Sequence, residues 1–304
     1  MRKKSVVTGG LGFIGSHVAE LLADENHEVL VLDDLSTGNQ KNSLPSIHYE
    51  IENYQSLTAL QAVRKFAPDY IFHLAALPRI QPSYDSPLEY TNVNVIGVIP
   101  LLELSRDLNL KGFIYSSSAS VYGNPRKQPI LESTCINPLN PYAVQKYAAE
   151  QLLLMLGERW RVPVVSLRYF NPFGERSFHP ENTDSAYSPV VGIFEHAFNN
   201  SLPLRVTGDG SQRRDFIYVK DVARANLLSA NSATQIQSRI MNVCSGETTS
   251  IYEVALMFSN NIEFIPPRKG EAEVSWGCNC TISNQLGWVK STSLRQYVNK
   301  FKSI

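Results

Sequence analysis

Tyr142 is followed four residues later by Lys146, in Tyr142-Ala143-Val144-Gln145-Lys146. On a helix that spacing sets both side chains on one face. An ammonium beside a phenol favours the phenolate and lowers its pKa from about 10 toward working pH. The pair therefore predicts a base that takes a proton from an alcohol. A second run, Ser116-Ser117-Ser118-Ala119-Ser120-Val121-Tyr122-Gly123, gathers hydroxyls behind an apolar stretch. Ser118 is the expected partner, sharing a hydrogen bond with Tyr142 and the reacting oxygen; Ser117 is the alternative, and a plain serine-rich turn the duller one.

A third pattern supplies an oxidant for that alcohol. In Thr8-Gly9-Gly10-Leu11-Gly12-Phe13-Ile14-Gly15, three glycines let the chain turn tightly after a strand and approach a pyrophosphate, with the next helix aiming its amides at the phosphates. Gly9, Gly12, Phe13, Ile14 and Gly15 are the expected contacts. Asp33 falls about twenty residues further on, where a carboxylate accepts hydrogen bonds from an adenosine ribose diol. A carboxylate there favours NAD over NADP. Glycines alone also punctuate ordinary turns, but here strand, glycines, helix, strand and acid come in order.

These groups need a scaffold. Apolar runs at Ser5 to Val7, Val29 to Leu32, Tyr70 to Leu74, Gly112 to Tyr115 and Val164 to Leu167 alternate with helical patterns around Gln55 to Phe66, Leu88 to Leu108 and Tyr142 to Trp160. Such alternation predicts an α/β fold, a Rossmann-like doubly wound parallel sheet with right-handed crossovers. After Tyr169 the pattern shifts to Asn171-Pro172-Phe173-Gly174 and a polar stretch with His179-Pro180-Glu181-Asn182. The expected division is a dinucleotide-binding domain over 1–170 and a smaller substrate region over 171–304, with segments near 214–245 rejoining the first. Short strands are expected at Phe216 to Val219 and Ile240 to Val243, with Asp221 capping a helix through Leu228.

The chain has 304 residues, enough for a substantial core. Lys plus Arg equal Asp plus Glu at 28 each, so no net field draws it to nucleic acid or anionic lipid. The basic start at Arg2-Lys3-Lys4 is followed by an apolar stretch that Thr8-Gly9-Gly10 breaks at once, which argues against export. The run around Val95 to Leu104 carries Gly97, Pro100 and Glu103 and is too short for a bilayer. A cytoplasmic protein without membrane or nucleic-acid partners is expected. Cys135, Cys244, Cys278 and Cys280 read as free thiols, and no second ligand pair accompanies Cys278 and Cys280 to make a metal site.

Taken together, Thr8 to Gly15, His73-Leu74-Ala75-Ala76, Ser116 to Gly123, Tyr142 to Lys146, Arg168-Tyr169-Phe170-Asn171 and Gly208 to Phe216 resemble the extended short-chain dehydrogenase/reductase family, and within it the nucleotide-sugar 4-epimerases. The likeness runs nearly end to end. It implies that Tyr142 takes the proton of a sugar 4-hydroxyl while hydride passes from C4 to NAD; the 4-keto sugar swings about its diphosphate and hydride returns to the opposite face. Lys146 would tune the tyrosine and hold the nicotinamide ribose, and Ser118 would orient the hydroxyl. Ala75 and Asn94 match cofactor-side positions, and Glu50-Ile51 stands where the family has aspartate and isoleucine against the adenine.

By the same resemblance Asn171, Arg214 and Arg268 grip the nucleotide diphosphate of a UDP-sugar, and Glu271 lies near the nucleotide ribose. Arginines suit that work because their planar donors meet phosphate oxygens bidentately. Arg79 and Gln81 depart from the smaller residues typical after Ala76. Ser275 falls where relatives carry either a bulky tyrosine or a small residue that admits an N-acetyl group, which favours an N-acetylhexosamine with plain hexoses also accepted. Related dehydratases and decarboxylases carry acids where Ala119 and Ser120 stand here, so elimination is disfavoured; epimerisation at another carbon and a nonenzymatic dinucleotide sensor remain the competing functions. The helices near Leu88 to Leu108 and Tyr142 to Trp160 resemble those that pair in the family's homodimer.

Overall fold

The computed structural model describes residues 2–178 and 188–303; the stretch His179 to Asn182 lies outside them. Strands β1 (Lys4–Thr8), β2 (Glu28–Asp33), β3 (His48–Ile51), β4 (Tyr70–His73), β5 (Gly112–Ser118) and β6 (Val164–Tyr169) alternate with helices α1 (Phe13–Asp24), α2 (Leu57–Phe66), α3 (Ile80–Asp85), α4 (Pro87–Thr91), α5 (Val98–Ser105) and α6 (Pro141–Trp160). Successive strand residues serve opposite faces, as the pleat requires. Val7, Val31 and Phe72 join α1 in one core, while their neighbours Val6, Leu32 and Ile71 join α2, α5 and α6 in another. Burial on both faces is why these strands read as unbroken apolar runs rather than alternating ones.

The rest of the chain forms β7 (Asn171–Phe173), α7 (Val190–Asn199), β8 (Leu204–Thr207), β9 (Arg213–Arg214), β10 (Phe216–Tyr218), α8 (Val219–Ser232), β11 (Ile240–Val243), β12 (Thr249–Ser250), α9 (Ile251–Phe258), β13 (Ile262–Ile265), β14 (Val274–Ser275), α10 (Cys280–Leu286) and α11 (Leu294–Lys302). The main sheet runs β11-β6-β5-β4-β1-β2-β3, all parallel. β11 returns to pair with β6 after the chain has left the sheet. The order turns back between β1 and β4, and ligands of open α/β sheets gather beyond the carboxyl ends of strands at such a point. Three small sheets, β10-β7, β12-β9-β14 and β13-β8, build the second region over a core of Phe173, Phe194, Val206, Ile251 and Phe258.

Several expectations change here. β3 is an edge strand whose His48, Glu50 and Ile51 stay exposed, so it carries little apolar signal. The single helix expected from Leu88 to Leu108 is broken: α4 ends, a π turn spans Asn92–Ile96, and α5 follows. The wide turn is held in part by packing at Gly97, where a Cβ would lie 2.2 Å from the Gln55 side-chain nitrogen. Asp221 is not a cap. α8 starts directly on the end of β10 with Tyr218 at the cap position, leaving Asp221 buried in the first turn, where it accepts from the Ser291 amide at 2.7 Å and pairs with Arg224 at 2.9 Å. Cys278 and Cys280 are not free thiols but a disulfide; Asn279 turns the chain into α10 and brings the two Cα atoms to 5.4 Å, within bridging range. Cys135 and Cys244 are free.

Candidate active site

A cavity of about 730 Å³ opens at the carboxyl ends of the central strands, and both halves of the chain line it. On one side stands the glycine turn. Gly9 has φ +69°, and a Cβ there would meet the Ala75 amide nitrogen at 2.8 Å; a Cβ on Gly15 would meet the Gly9 carbonyl oxygen at 2.0 Å. Only glycine lets the turn close against both β4's loop and the first turn of α1. Gly9, Gly12, Phe13, Ile14 and Gly15 all face the cavity, so the N-terminus of α1 presents its amides there.

Asp33 lines the same wall at the end of β2. Its carboxylate accepts from the Leu11 and Leu35 amides, each at 2.9 Å, while burial raises its pKa against the pull of those bonds. The Cβ-free cradle and the carboxylate beside it fit a dinucleotide with a free ribose diol. Ala75 also lines the cavity and donates its amide to Thr8 Oγ1 at 3.2 Å. Glu50 and Ile51 do not: they lie on the exposed edge strand, with Ile51 43% accessible, and Asp34, Asn53 and Tyr54 line the wall instead. Ligands gather beyond strand ends, so the residues just after β2 and β3 were the ones to consider.

Asn94 is likewise turned away from the cavity. Its Oδ1 accepts from the Leu77 amide at 2.9 Å, and its Nδ2 donates to the Leu77 carbonyl at 3.1 Å and to Gln145 Oε1 at 3.3 Å. The π turn drives this amide inward, where it braces the loop after β4. That loop's Ala76, Leu77 and Arg79 face the cavity.

Ser118 and Tyr142 both line the cavity, the serine hydroxyl near enough to favour the phenolate, and Ser118 Oγ accepts from Ser120 Oγ at 2.9 Å. Ser117 is the wrong neighbour for this work. The strand alternation sends it to the other face, buried, with no partner for its hydroxyl among the described residues. Burial raises the Tyr142 pKa, against the opposing effects of the Ser118 bond and the positive charge of Arg79.

Lys146 lies one turn further along α6 and also lines the cavity. Its Nζ gives one of its protons to the Ser116 carbonyl at 2.9 Å and sits 5.1 Å over the Tyr115 ring, and burial pulls its own pKa down to about 7. Below it, His73 is held neutral, its pKa drawn to about 3 by burial and then by Lys146, and it bonds Thr8 Oγ1 at 2.8 Å. It is structural support.

α6 is anchored to the sheet one turn beyond Lys146. Glu150 and Arg168 of β6 form a fully buried pair at 2.5 Å, with further bonds at 3.0 Å and from Ser166 at 2.8 Å. Arg168 also donates to the Tyr122 hydroxyl at 2.8 Å, tying in the turn after Ser118.

The opposite wall comes from the second region. Arg214 on β9 is 12% exposed at its side chain, pairs with Glu271 at 3.3 Å, and has its pKa lowered by burial. Asn171 faces the cavity while its Nδ2 donates to the Asp215 carbonyl at 3.1 Å. Arg268 is an exposed rim residue, and Ser275 on β14 lines the wall because β14 pairs with β9. Gln81 reaches the Lys269 carbonyl at 3.0 Å. Sequence reasoning missed Arg176, Arg205 and Thr207, which also border the cavity and which no motif marked, and did not single out Gln212 within the Gly208 to Phe216 run; their approach depends on how the second region folds back.

A model of the NAD dependent epimerase/dehydratase family matches residues 5–244. The chain belongs to that family. It is an NAD-dependent enzyme on the extended short-chain dehydrogenase/reductase scaffold. The UDP-glucose 4-epimerase of Mycolicibacterium smegmatis is 31% identical over 309 residues, covering 98% of this chain and 96% of that one. Among solved structures, the UDP-glucose 4-epimerase of Thermotoga maritima with UDP-glucose superposes with a TM-score of 0.90 at 30% identity, over 99% of both chains. The UDP-N-acetylglucosamine 4-epimerase of Methanobrevibacter ruminantium, in complex with UDP-N-acetylmuramic acid, gives 0.88 at 32%, again over 99% of both.

Among the described residues no helix is long and apolar enough to cross a membrane.

Proposed function

We propose that this protein is an isomerase that inverts C4 of a UDP-sugar, with N-acetylglucosamine and N-acetylgalactosamine as the preferred pair and glucose and galactose also accepted. One observation carries it: Ser118 and Tyr142 line the same cavity as the glycine turn and Asp33 from the first region and Arg214, Glu271 and Asn171 from the second. NAD, when bound, takes up a hydride from the sugar carbon and later gives it back. Tyr142 accepts the proton of the C4 hydroxyl as the carbon is oxidised and returns it on reduction, with Ser118 holding the oxygen in line. Gly9, Gly12, Phe13, Ile14, Gly15, Asp33 and Ala75 hold the dinucleotide, and Lys146 meets its inner ribose. Arg214, Arg268, Asn171 and Glu271 hold the UDP moiety, which leaves the sugar free to turn over.

The chain divides by this proposal into residues 1–170 for NAD and 171–304 for the sugar nucleotide, with segments near 214–245 shared. Epimerase relatives of both plain and N-acetylated sugars support the activity without choosing between them. Ser275 supports the N-acetylated pair, because its small side chain leaves room on the wall beside Arg214. Elimination chemistry lacks its acid: beside Ser118 stand apolar Ala119 and Ser120, whose hydroxyl is given to Ser118.

Incubation of the purified protein with UDP-N-acetylglucosamine and, separately, UDP-glucose, followed by chromatographic separation of the C4 epimers, tests the proposal. Interconversion of the N-acetylated pair at the higher kcat/KM is expected. Retention of NAD with no conversion of either sugar would instead indicate a dinucleotide sensor.

A further inference from the structure

We propose that Asn140 is a positioning residue that latches the loop carrying Arg268 and Glu271 onto the N-terminus of the helix that carries Tyr142. The inference rests on the proposed UDP-binding role of that loop. Asn140 is 6% exposed and uses both ends of its amide. Its Oδ1 accepts from the Ala143 amide at 2.8 Å and caps α6, while its Nδ2 donates to the Gly270 carbonyl at 3.0 Å. The orientation is dictated by chemistry, since an amide N–H needs an acceptor and a carbonyl needs a donor.

The surroundings make this junction specific. Gly270 has φ +79°, and a Cβ there would meet the Tyr84 hydroxyl at 2.9 Å. Tyr84 donates to the Leu139 carbonyl at 3.1 Å, Gln81 to the Lys269 carbonyl at 3.0 Å, and the Tyr142 amide to Ser83 Oγ at 3.2 Å. Helix α3, the start of α6 and the 268–272 loop thus meet at one point on the cavity wall, and Asn140 is the residue bonded to two of them. Arg268, Gly270 and Glu271 all line the cavity. A loop held there keeps Glu271 against Arg214 and keeps the nucleotide grip at a set distance from Tyr142.

The capping and latching roles can be separated. Asn140→Asp keeps an oxygen cap of equal quality but turns a carboxylate toward the Gly270 carbonyl; Asn140→Ser keeps a cap oxygen and is too short to reach Gly270. In the NAD-loaded enzyme, both variants are expected to retain NAD and to melt within a few degrees of wild type, since one lost hydrogen bond costs about 1 kcal/mol. Both should weaken UDP binding, measured by calorimetry, about tenfold, and raise KM for the UDP-sugar by a similar factor with kcat held within about twofold. Unchanged UDP affinity in both variants would overturn the latch. So would a fall in melting temperature and kcat with KM unmoved, which is the signature of a cap alone. If wild type itself fails to bind UDP, the UDP-binding role of the loop fails first and the latch falls with it; if wild type binds UDP and only the variants are silent, the latch alone is wrong.

Discussion

The proposed base is the Tyr142 phenolate; burial raises the phenol's pKa, and the nearby Ser118 hydroxyl and Arg79 charge oppose that rise. Tyr142→Phe removes the transferable proton without opening a cavity. Turnover should drop by about 10²–10⁴-fold with NAD content and melting temperature unchanged; epimer chromatography showing near-normal rates would remove Tyr142 from the base role. At the other wall, Ser275→Tyr fills the space beside Arg214 and should raise KM for the N-acetylated sugar more than for the plain hexose. Equal effects on both sugars would defeat the size gate. Lys146 permits a test by pH. Burial lowers its pKa from 10.5 to about 7, so between those values the unfolded chain binds more protons than the folded one, and folding stability rises with pH across that window. Lys146→Met removes this slope. Urea unfolding of both proteins at several pH values should show wild type gaining on the variant as pH increases, and parallel curves would mean the ammonium is solvated.

At the scale of elements, the placement of α6 depends on one buried ion pair. Burial would depress the Arg168 guanidinium, but the hydrogen bonds and charge of Glu150 hold it above its ordinary value. Glu150→Ala leaves that guanidinium uncompensated between α6, β6 and the turn after Ser118. A loss of about 3–5 kcal/mol is expected by urea denaturation, and a loss under about 1 kcal/mol would show that water reaches the pair. The π turn before α5 is the second device at this scale. It spends the regularity of one helix to aim Asn94 at Leu77, and so shapes the cavity wall from behind.

Across the whole molecule, the outer faces of α4 to α6 leave Leu88, Ile96, Val144, Leu152 and Met155 exposed. Val144, Leu152 and Met155 share one side of α6 by helical spacing. We propose that a second copy of the chain covers these residues, as a homodimer. Light scattering should give twice the chain mass for wild type and a monomer for Leu152→Asp with Met155→Asp; a monomeric wild type at micromolar concentration would end the idea.

Local spacing determined the glycine turn, the hydroxyl run and the face shared by Tyr142 and Lys146, because a helix repeat or a strand end is set by neighbours in the chain. The order of apolar runs likewise determined a parallel sheet, since strands buried on both faces need that composition. Whether a side chain at the right spacing is available to a ligand was decided only in three dimensions. Lys146 kept a place on the cavity wall, Asn94 found Leu77, and Ile51 was left on an edge. Asn140 caps α6 through a neighbour in the chain, but its bond to Gly270, 130 residues away, exists because the second region folds back across the sheet. Contacts over such separations depend on long-range packing, which no short-range pattern encodes.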